Sequence, residues 1–268
     1  MRLIAGINTF KDCISTGYPF IESILSALPL CDRYFVNDGG SSDGTLEALK
    51  ELCESYPKVK LYQIPDTPSV RWDCVSDQLN TLIQEAGSGW IFLGNADELL
   101  HEEDTHALRE YILRSKDRII RLNRREITYN WGALSGEVYH PARITKNIMG
   151  VRMDWNKYGG DEFLFTDGWH DPKRTLVAPF TLYHFYNLFP LNQIKKLEND
   201  ALRLSPGDSA RVKAYERLKN SEIRPVAPKH IYPHLPILMR DLAGAPKYHV
   251  RKELFNPEWL SELTGLKY

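Results

Sequence analysis

The sequence predicts an α/β fold: a mostly parallel central sheet flanked by helices, followed by a C-terminal extension of helices and loops. Three observations predict it. The first half alternates short apolar runs with segments of helical periodicity, four times over. Runs such as Trp90–Leu93 lack polar alternation, the pattern of strands covered on both faces. Polar, glycine-containing turns fall where those strands would end, the edge at which open α/β sheets take their ligands.

The elements follow in order. Arg2–Asn8 reads as the first strand and Thr9-Phe10-Lys11-Asp12 as a polar loop leaving it. Pro19 suits the first turn of a helix, and Phe20, Ile21, Ile24, Leu25 and Leu28 repeat at helical spacing until Pro29. Arg33–Val36 is the second strand. The turn N-D-G-G-S-S-D-G-T, residues 37–45, leads into a helix striped by Leu46, Leu49, Leu52 and Cys53, with Ser42 or Asp43 as its cap. Val59–Ile64 is the third strand, closed by Pro65. Val75, Leu79, Leu82, Ile83 and Ala86 mark a helix stopped by Gly87 and Gly89. The Trp90 strand, a helix over Glu103–Arg114 and a strand at Arg118–Leu122 complete the alternation, which implies right-handed crossovers.

After Thr128 the periodicity weakens. Tyr129–Asp171 is rich in Gly, Trp, Tyr and charge, as irregular substrate-binding structure on a sheet would be. Leu176–Phe185 contains a further apolar run. Leu191, Ile194, Leu197, Ala201 and Leu204 mark a helix ended by Pro206-Gly207, and the proline-punctuated tail reads as loops around short helices.

With 268 residues the chain can bury a sizeable core. It contains no apolar run of about 18 residues, so no transmembrane helix is expected. The start lacks the pattern of a signal peptide, and Cys13, Cys31, Cys53 and Cys74 form no C-x-x-C pair. Together these favour buried thiols in a reducing, cytoplasmic setting. The net charge is −1, but residues 1–172 are acidic and residues 173–268 basic. A basic C-terminal part suits phosphates or peripheral contact with an anionic membrane face, or is simply a solvated surface. No basic-aromatic interleaving of the kind that binds nucleic acid stands out.

The chemistry concentrates in W-I-F-L-G-N-A-D-E-L-L, residues 90–100. Gly94 permits a close backbone approach, and Asn95, Asp97 and Glu98 follow where the strand emerges. Such oxygen ligands suit a hard cation, Mg²⁺ or Mn²⁺, neutralising a diphosphate; alternatively Asp97 and Glu98 cap the next helix.

V-N-D-G-G-S-S-D-G-T resembles the V-D-D-G-S-x-D-G-T signature of family 2 glycosyltransferases, with an extra glycine and Asn37 for the first Asp. W-I-F-L-G-N-A-D-E resembles that family's W-I-x-x-L-D-A-D-E, with Asn95 for the first Asp. In the second half, H-P-A-R-I (140–144) resembles the R-L-F strand and D-G-W-H-D (167–171) resembles G-x-x-H-E. T-L-Y-H-F-Y-N (181–187), then I-K-K-L-E-N-D, resembles the late I-x-H-Y segment and the lysine-containing helix after it.

The resemblance implies a GT-A fold, Rossmann-like, over residues 1–205, with a nucleotide-sugar half at 1–127 and an acceptor half at 128–205. Residues 206–268 would form an extension packing on that domain. It implies a nucleoside-diphosphate sugar donor, a UDP-sugar favoured, and Mg²⁺ or Mn²⁺. Thr9, Phe10, Asp38, Gly39, Arg71, Asn95, Ala96 and Asp97 would bind the donor; Asp97 and His184 would hold the metal. Transfer would be inverting, to a glycan, a lipid-linked sugar or a protein hydroxyl, in cell-surface polysaccharide synthesis. Asp171 would be the base that takes the acceptor proton, with Asp161 and Glu162 as rivals.

Each residue also has a structural reading: Asp38 and Asp43 shaping a turn, Arg71 solvated, His184 a satisfied core histidine, and Trp131, Trp155 and Trp169 packing loops rather than sugars. Two other functions remain. One is a nucleotide-sugar binder that has lost activity, because Asn37 and Asn95 each remove a charge. The other is a sugar nucleotidyltransferase, against which N-T-F-K-D-C after the first strand argues, since it is no Gly- and Lys-rich phosphate loop.

Overall fold

The computed structural model describes residues 3–66, 71–127, 139–147, 151–153, 163–165, 176–185, 188–199, 201, 209–219 and 234–268. The first half runs β1 (Ile4–Phe10), α1 (Cys13–Thr16), α2 (Phe20–Ala27), β2 (Arg33–Asp38), α3 (Thr45–Ser55), β3 (Val59–Tyr62), α4 (Arg71–Ala86), β4 (Gly89–Leu93), β5 (Glu98–Leu100) and α5 (Glu102–Arg114). Then come β6 (Ile119–Ile127), β7 (Ala142–Asn147), β8 (Val151–Met153), β9 (Phe163–Phe165) and β10 (Leu176–Phe185). The described helices of the last part are α6 (Gln193–Glu198), α7 (Ser209–Lys219), α8 (Ile237–Arg240) and α9 (Pro257–Thr264).

Eight strands form one sheet in the order β3-β2-β1-β4-β7-β6-β10-β5, and β8 and β9 form a separate pair. The β3-β2-β1-β4 half is parallel, as the strand–helix alternation predicts. Beyond β4 the pairing changes: β7 runs antiparallel to both β4 and β6, and β5 antiparallel to β10. The α/β class therefore holds, in a mixed sheet.

Both faces of the sheet are covered. Along β4, Trp90 and Phe92 enter one core while Ile91 and Leu93 enter the other. Ile4 of β1 packs on the first side, with α2; Ala5 and Ile7 pack on the second, against Leu79, Leu82 and Ile83 of α4. Period-two alternation with both sets apolar is why these strands read as unbroken apolar runs. Gly6 is required where β1 crosses β2, because a Cβ there would lie 2.3 Å from the Tyr34 ring. All four cysteines are free thiols, and no helix among the described residues is long and apolar enough to cross a membrane.

Several boundaries differ from the sequence reading. β1 continues through Thr9 and Phe10, because pairing with β2 extends to Phe10↔Asp38. The residue capping α3 is neither Ser42 nor Asp43 but Gly44, at φ 96°. Asp43 acts one position earlier, accepting from Thr45 N at 3.1 Å and Ser15 N at 2.6 Å. β5 is too short to give a periodic signal; three residues pair with β10 only because the chain doubles back there. The segment after Phe189 is a 3-10 turn (Pro190–Asn192) leading into α6, and residues 202–208 lie outside the described part.

The C-terminal residues complete the main core. Leu235, Leu238, Met239, Leu242, Tyr248, Leu254 and Leu260 are buried in the same cluster as α2. Tyr248 Oη donates to Glu22 Oε2 (2.9 Å), and Tyr56 Oη donates to the Leu254 carbonyl (2.5 Å).

Candidate functional site

The carboxyl ends of β1 and β4 open into a cavity. Its lining includes Thr9 and Phe10 from β1 and Lys11 just after it, Gly94 to Asp97 after β4, Gln78 of α4, Tyr18, and Asn199 after α6. Thr9, Phe10, Asn95, Ala96 and Asp97 are thus brought together as expected donor-site residues. Asp38 and Gly39 stand behind them. Asp38 is 2 % exposed, and its Oδ2 accepts from Gly40 N (2.9 Å) and Ser41 N (3.0 Å), which fixes the loop; its buried Oδ1 has no hydrogen-bond partner among the described residues. Gly39 backs onto Asp66, Gln78 and the Phe10 carbonyl, where a Cβ would be tightly placed at 3.0–3.3 Å. Arg71 opens α4, but its side chain lies outside the described part. Asp161, Glu162 and Asp171, the candidate bases, also lie outside the described residues.

Asn37 is wholly buried and works as a splice. Its Nδ2 donates to Thr9 Oγ1 (3.0 Å) and the Ile64 carbonyl (3.2 Å), and its Oδ1 accepts from Ile64 N (2.7 Å). A carboxylate could accept but not donate, so an amide is what joins β1, β2 and the chain after β3 here. Thr9 in turn donates to Gln78 Oε1 at 2.7 Å. Lys11 closes this side, pairing with Asp66 (3.3 Å) and donating to the Gly39 carbonyl (3.3 Å).

The acids after β4 part company. Gly94 admits no Cβ, which would lie 2.6 Å from Tyr34 Oη and 2.9 Å from Asn8 Nδ2. The Asn95 amide is satisfied with its oxygen accepting from Arg143 Nη2 (2.8 Å) and its nitrogen donating to the Gly94 carbonyl (3.2 Å). Glu98 is buried in a bidentate pair with Arg143, at 2.6 Å and 2.8 Å, with Arg124 3.7 Å away. Only Asp97 lines the cavity, and neither acid caps α5, whose N-cap is His101.

Antiparallel pairing of β5 with β10 sets His184 opposite Glu98, and Phe185 N donates to the Asp97 carbonyl at 2.7 Å. His184 Nε2 thereby lies 3.4 Å from Asp97 Oδ2, while its Nδ1 lies 2.5 Å from Glu126 Oε2. The same Asp97 oxygen accepts from Lys196 Nζ at 3.2 Å. Lys196 is buried, and its ammonium lies 4.2 Å from the centre of the Tyr18 ring. Asn192 holds α6 in place, donating to the Ile14 and Ser15 carbonyls (3.0 and 2.9 Å) and accepting from Tyr248 N (2.9 Å).

These contacts set the charge states. Burial alone would raise the Asp97 carboxyl, but His184 and Lys196 hold it well below the usual carboxylate range. Burial alone would lower His184, yet Asp97 and the bond to Glu126 lift it to about 9. Burial likewise opposes ionisation of Glu126, and His184 and Arg124 outweigh it, lowering its pKa.

A divalent cation fits this donor set in part. Asp97 Oδ2 and His184 Nε2 are 3.4 Å apart, suited to two neighbouring ligands of one ion. Glu126 fixes the ring from its other nitrogen, the usual support of a metal-binding imidazole. Among the described residues no group of three or more His, Cys, Asp or Glu could hold an ion, so these two residues alone do not make a complete site.

Sequence reasoning missed Lys11, Gln78, Tyr18, Glu126 and Lys196 as site residues. Lys196 had a signal, the I-K-K-L-E-N-D segment; the others lie in stretches whose side chains meet only through the sheet order.

Comparison with known proteins places this geometry in context. The family profile described as Glycosyl transferase family 2 matches residues 15–166. No curated protein matches the sequence. Among solved structures, S. aureus TarS is similar at 12% identity and TM-score 0.47, over 84% of this chain and 44% of that one. S. aureus TarS 1-349 in complex with UDP-GlcNAc is similar at 14% identity and TM-score 0.48, over 82% and 72%. The mannosyltransferase PcManGT from Pyrobaculum calidifontis, in complex with GDP-Man and Mn2+, is similar at 21% identity and TM-score 0.37, over 47% and 36%. The chain thus spans less than half the length of the full TarS chain.

Proposed function

This chain belongs to glycosyl transferase family 2, whose profile covers more than half of it, and from that premise we propose that it moves a sugar from a nucleoside-diphosphate sugar to an acceptor hydroxyl. The observation that carries this reading is the cavity at the carboxyl ends of β1 and β4, edged by Asp97 with His184 and Lys196. The nucleoside would lie along Thr9, Phe10 and Gln78, with Asp38 behind the loop, and the diphosphate would face the Asp97 edge. UDP-sugars are the favoured donors.

Negative charge grows on the diphosphate as the sugar leaves. Lys196 stands where that charge would develop, and burial makes its field stronger than in water. Asp97 and His184 would hold Mg²⁺ or Mn²⁺, which supplies Lewis-acid stabilisation of the leaving phosphate. The acceptor hydroxyl attacks the anomeric carbon from the opposite face, with inversion, and a carboxylate takes its proton. Asp171 is the proposed base, with Asp161 and Glu162 as rivals. The acceptor is a glycan, lipid-linked sugar or protein hydroxyl, met in the cytoplasm or at a membrane face.

A thermal-shift panel of UDP, GDP, dTDP and CMP, each with and without Mn²⁺, tests the donor site. A ligand at a hundredfold excess over its Kd stabilises by about 2.7 kcal/mol. One diphosphate should raise Tm, more so with Mn²⁺, and Asp97→Ala should abolish the Mn²⁺ increment. No shift with any nucleotide would sink the donor-site assignment.

A further inference from the structure

We propose that Lys196 is a built-in cation of the donor site: it competes with a divalent metal for Asp97 and transfers its contact to the donor's diphosphate when that arrives. The inference rests on the donor-site reading above. It starts from an observation that reading does not need: the Asp97 oxygen facing His184 already holds the Lys196 ammonium at 3.2 Å.

Four features make this a functional cation rather than a stray surface pair. Lys196 is 4 % exposed, so its charge has no bulk water to rely on. Two of its partners, Asp97 and the Tyr18 ring, line the cavity, so the ammonium lies directly against that lining. Its helix is fixed by the buried Asn192, against which Gly17 packs so closely that a Cβ there would lie 2.6 Å from the Asn192 Cβ. Finally, the acids at this edge already face protein cations. Asp97, Glu98 and Glu126 face the fixed cations Lys196, Arg143 and Arg124, with His184 between Asp97 and Glu126.

A metal entering this site must displace Lys196 from Asp97 and meets its charge at close range. A diphosphate favours the opposite, because it brings more negative charge than Asp97 provides. Lys196 can then turn to phosphate oxygen and leave Asp97 to the metal. Metal should therefore bind weakly alone and more tightly with nucleoside diphosphate, and the diphosphate should bind measurably without metal.

The test uses the full chain and its Lys196→Met and Asp97→Asn variants, with Mn²⁺ alone, UDP alone and GDP alone as titrants in calorimetry. Free Mn²⁺ is also followed by electron paramagnetic resonance, and circular dichroism confirms folding. Lys196→Met should bind Mn²⁺ at least threefold more tightly than wild type and bind the preferred diphosphate, without metal, at least tenfold more weakly. Asp97→Asn should do the opposite, losing Mn²⁺ while keeping or improving metal-free diphosphate binding. Equal weakening of both ligands by Lys196→Met, or no change in either, would overturn the proposal and leave Lys196 a structural ion pair. Should Lys196→Met unfold, the Asp97→Asn arm decides: a loss of metal-free diphosphate binding overturns the exchange. If wild type binds neither UDP nor GDP, the donor-site reading itself fails, an outcome separate from any ratio between variants.

Discussion

Arg143→Met should be among the most damaging single changes in the chain, and the structure says by how much. Arg143 has no exposed surface, and Glu98 is 3 % exposed. They meet through two charge-assisted bonds, Nε to Oε2 at 2.6 Å and Nη2 to Oε1 at 2.8 Å. Removing the guanidinium strands a carboxylate with Arg124, 3.7 Å away, as its remaining ion-pair partner among the described residues. Cutting one partner from a buried pair costs about 3–5 kcal/mol, mostly the penalty of the uncompensated charge. At about 2–4 °C per kcal/mol for a domain near this size, Tm should fall by roughly 6–20 °C. The same carboxylate, neutralised, should matter far less. Glu98→Gln in the Arg143→Met background removes the stranded charge, so the double variant should be more stable than Arg143→Met alone. Urea unfolding followed by tryptophan fluorescence gives the four free energies of the cycle. If the double variant loses the sum of the two single losses, or Arg143→Met costs under about 1 kcal/mol, Glu98 is not the buried anchor described here.

Three further outcomes are expected. Asn37→Asp restores the acid of the family motif but loses two donated bonds in a wholly buried place, so it should cost about 2 kcal/mol or more in urea unfolding, without tightening nucleotide binding. Burial raises the Glu22 carboxyl, with Arg251 and Tyr248 opposing, so its contribution to stability is full below about pH 4.5 and declines as pH rises through its folded pKa. Stability curves of wild type and Glu22→Gln should therefore diverge in favour of the variant with rising pH, and parallel curves would refute this. Glu126→Gln should lower the His184 titration from about 9 toward the free-imidazole value, read by NMR of the ring protons. Because that pKa is raised, the stabilisation His184 gives is present below about pH 6.5 and lost as pH rises through 9; in Glu126→Gln it should be smaller and its loss complete at lower pH.

The parallel half of the fold was legible because its strands are buried on both faces and its helices carry regular apolar stripes. Trp90–Leu93 and the Leu79, Leu82, Ile83 stripe fall where their periodicity puts them. The antiparallel half was not legible in the same way. β5 is three residues long, and its direction depends on β10, more than seventy residues later, not on local pattern. The site divides similarly. Thr9, Phe10, Asn95, Ala96 and Asp97 lie at strand ends that the sequence marks, and they meet in the cavity. Glu126 reaches His184 through the register of β10 with β6, and Lys196 reaches Asp97 on a helix that Asn192 holds against Ile14 and Ser15, which no single stretch encodes. Glu98 misleads from sequence: it sits beside Asp97 in the motif, yet strand alternation turns it into the core, onto Arg143.

That alternation also accounts for the two asparagines that depart from the family motif. A carboxylate at 37 would face the Ile64 carbonyl with no proton to give, whereas the amide satisfies donor and acceptor at once. At 95, the amide oxygen shares Arg143 with Glu98, and its nitrogen answers the Gly94 carbonyl. A second carboxylate there would crowd Glu98 and Asp97 around cations already matched to them. With Asn at both positions, Asp97 is the acid that reaches the cavity from this motif, and Lys196 and His184 already face it. Adding charge back at residue 95 should thus leave Lys196 outnumbered and make the resting site more receptive to a divalent ion. Asn95→Asp should raise affinity for Mn²⁺ in the absence of nucleotide; an unchanged Mn²⁺ affinity would mean that charge balance does not govern metal binding at this edge of the sheet.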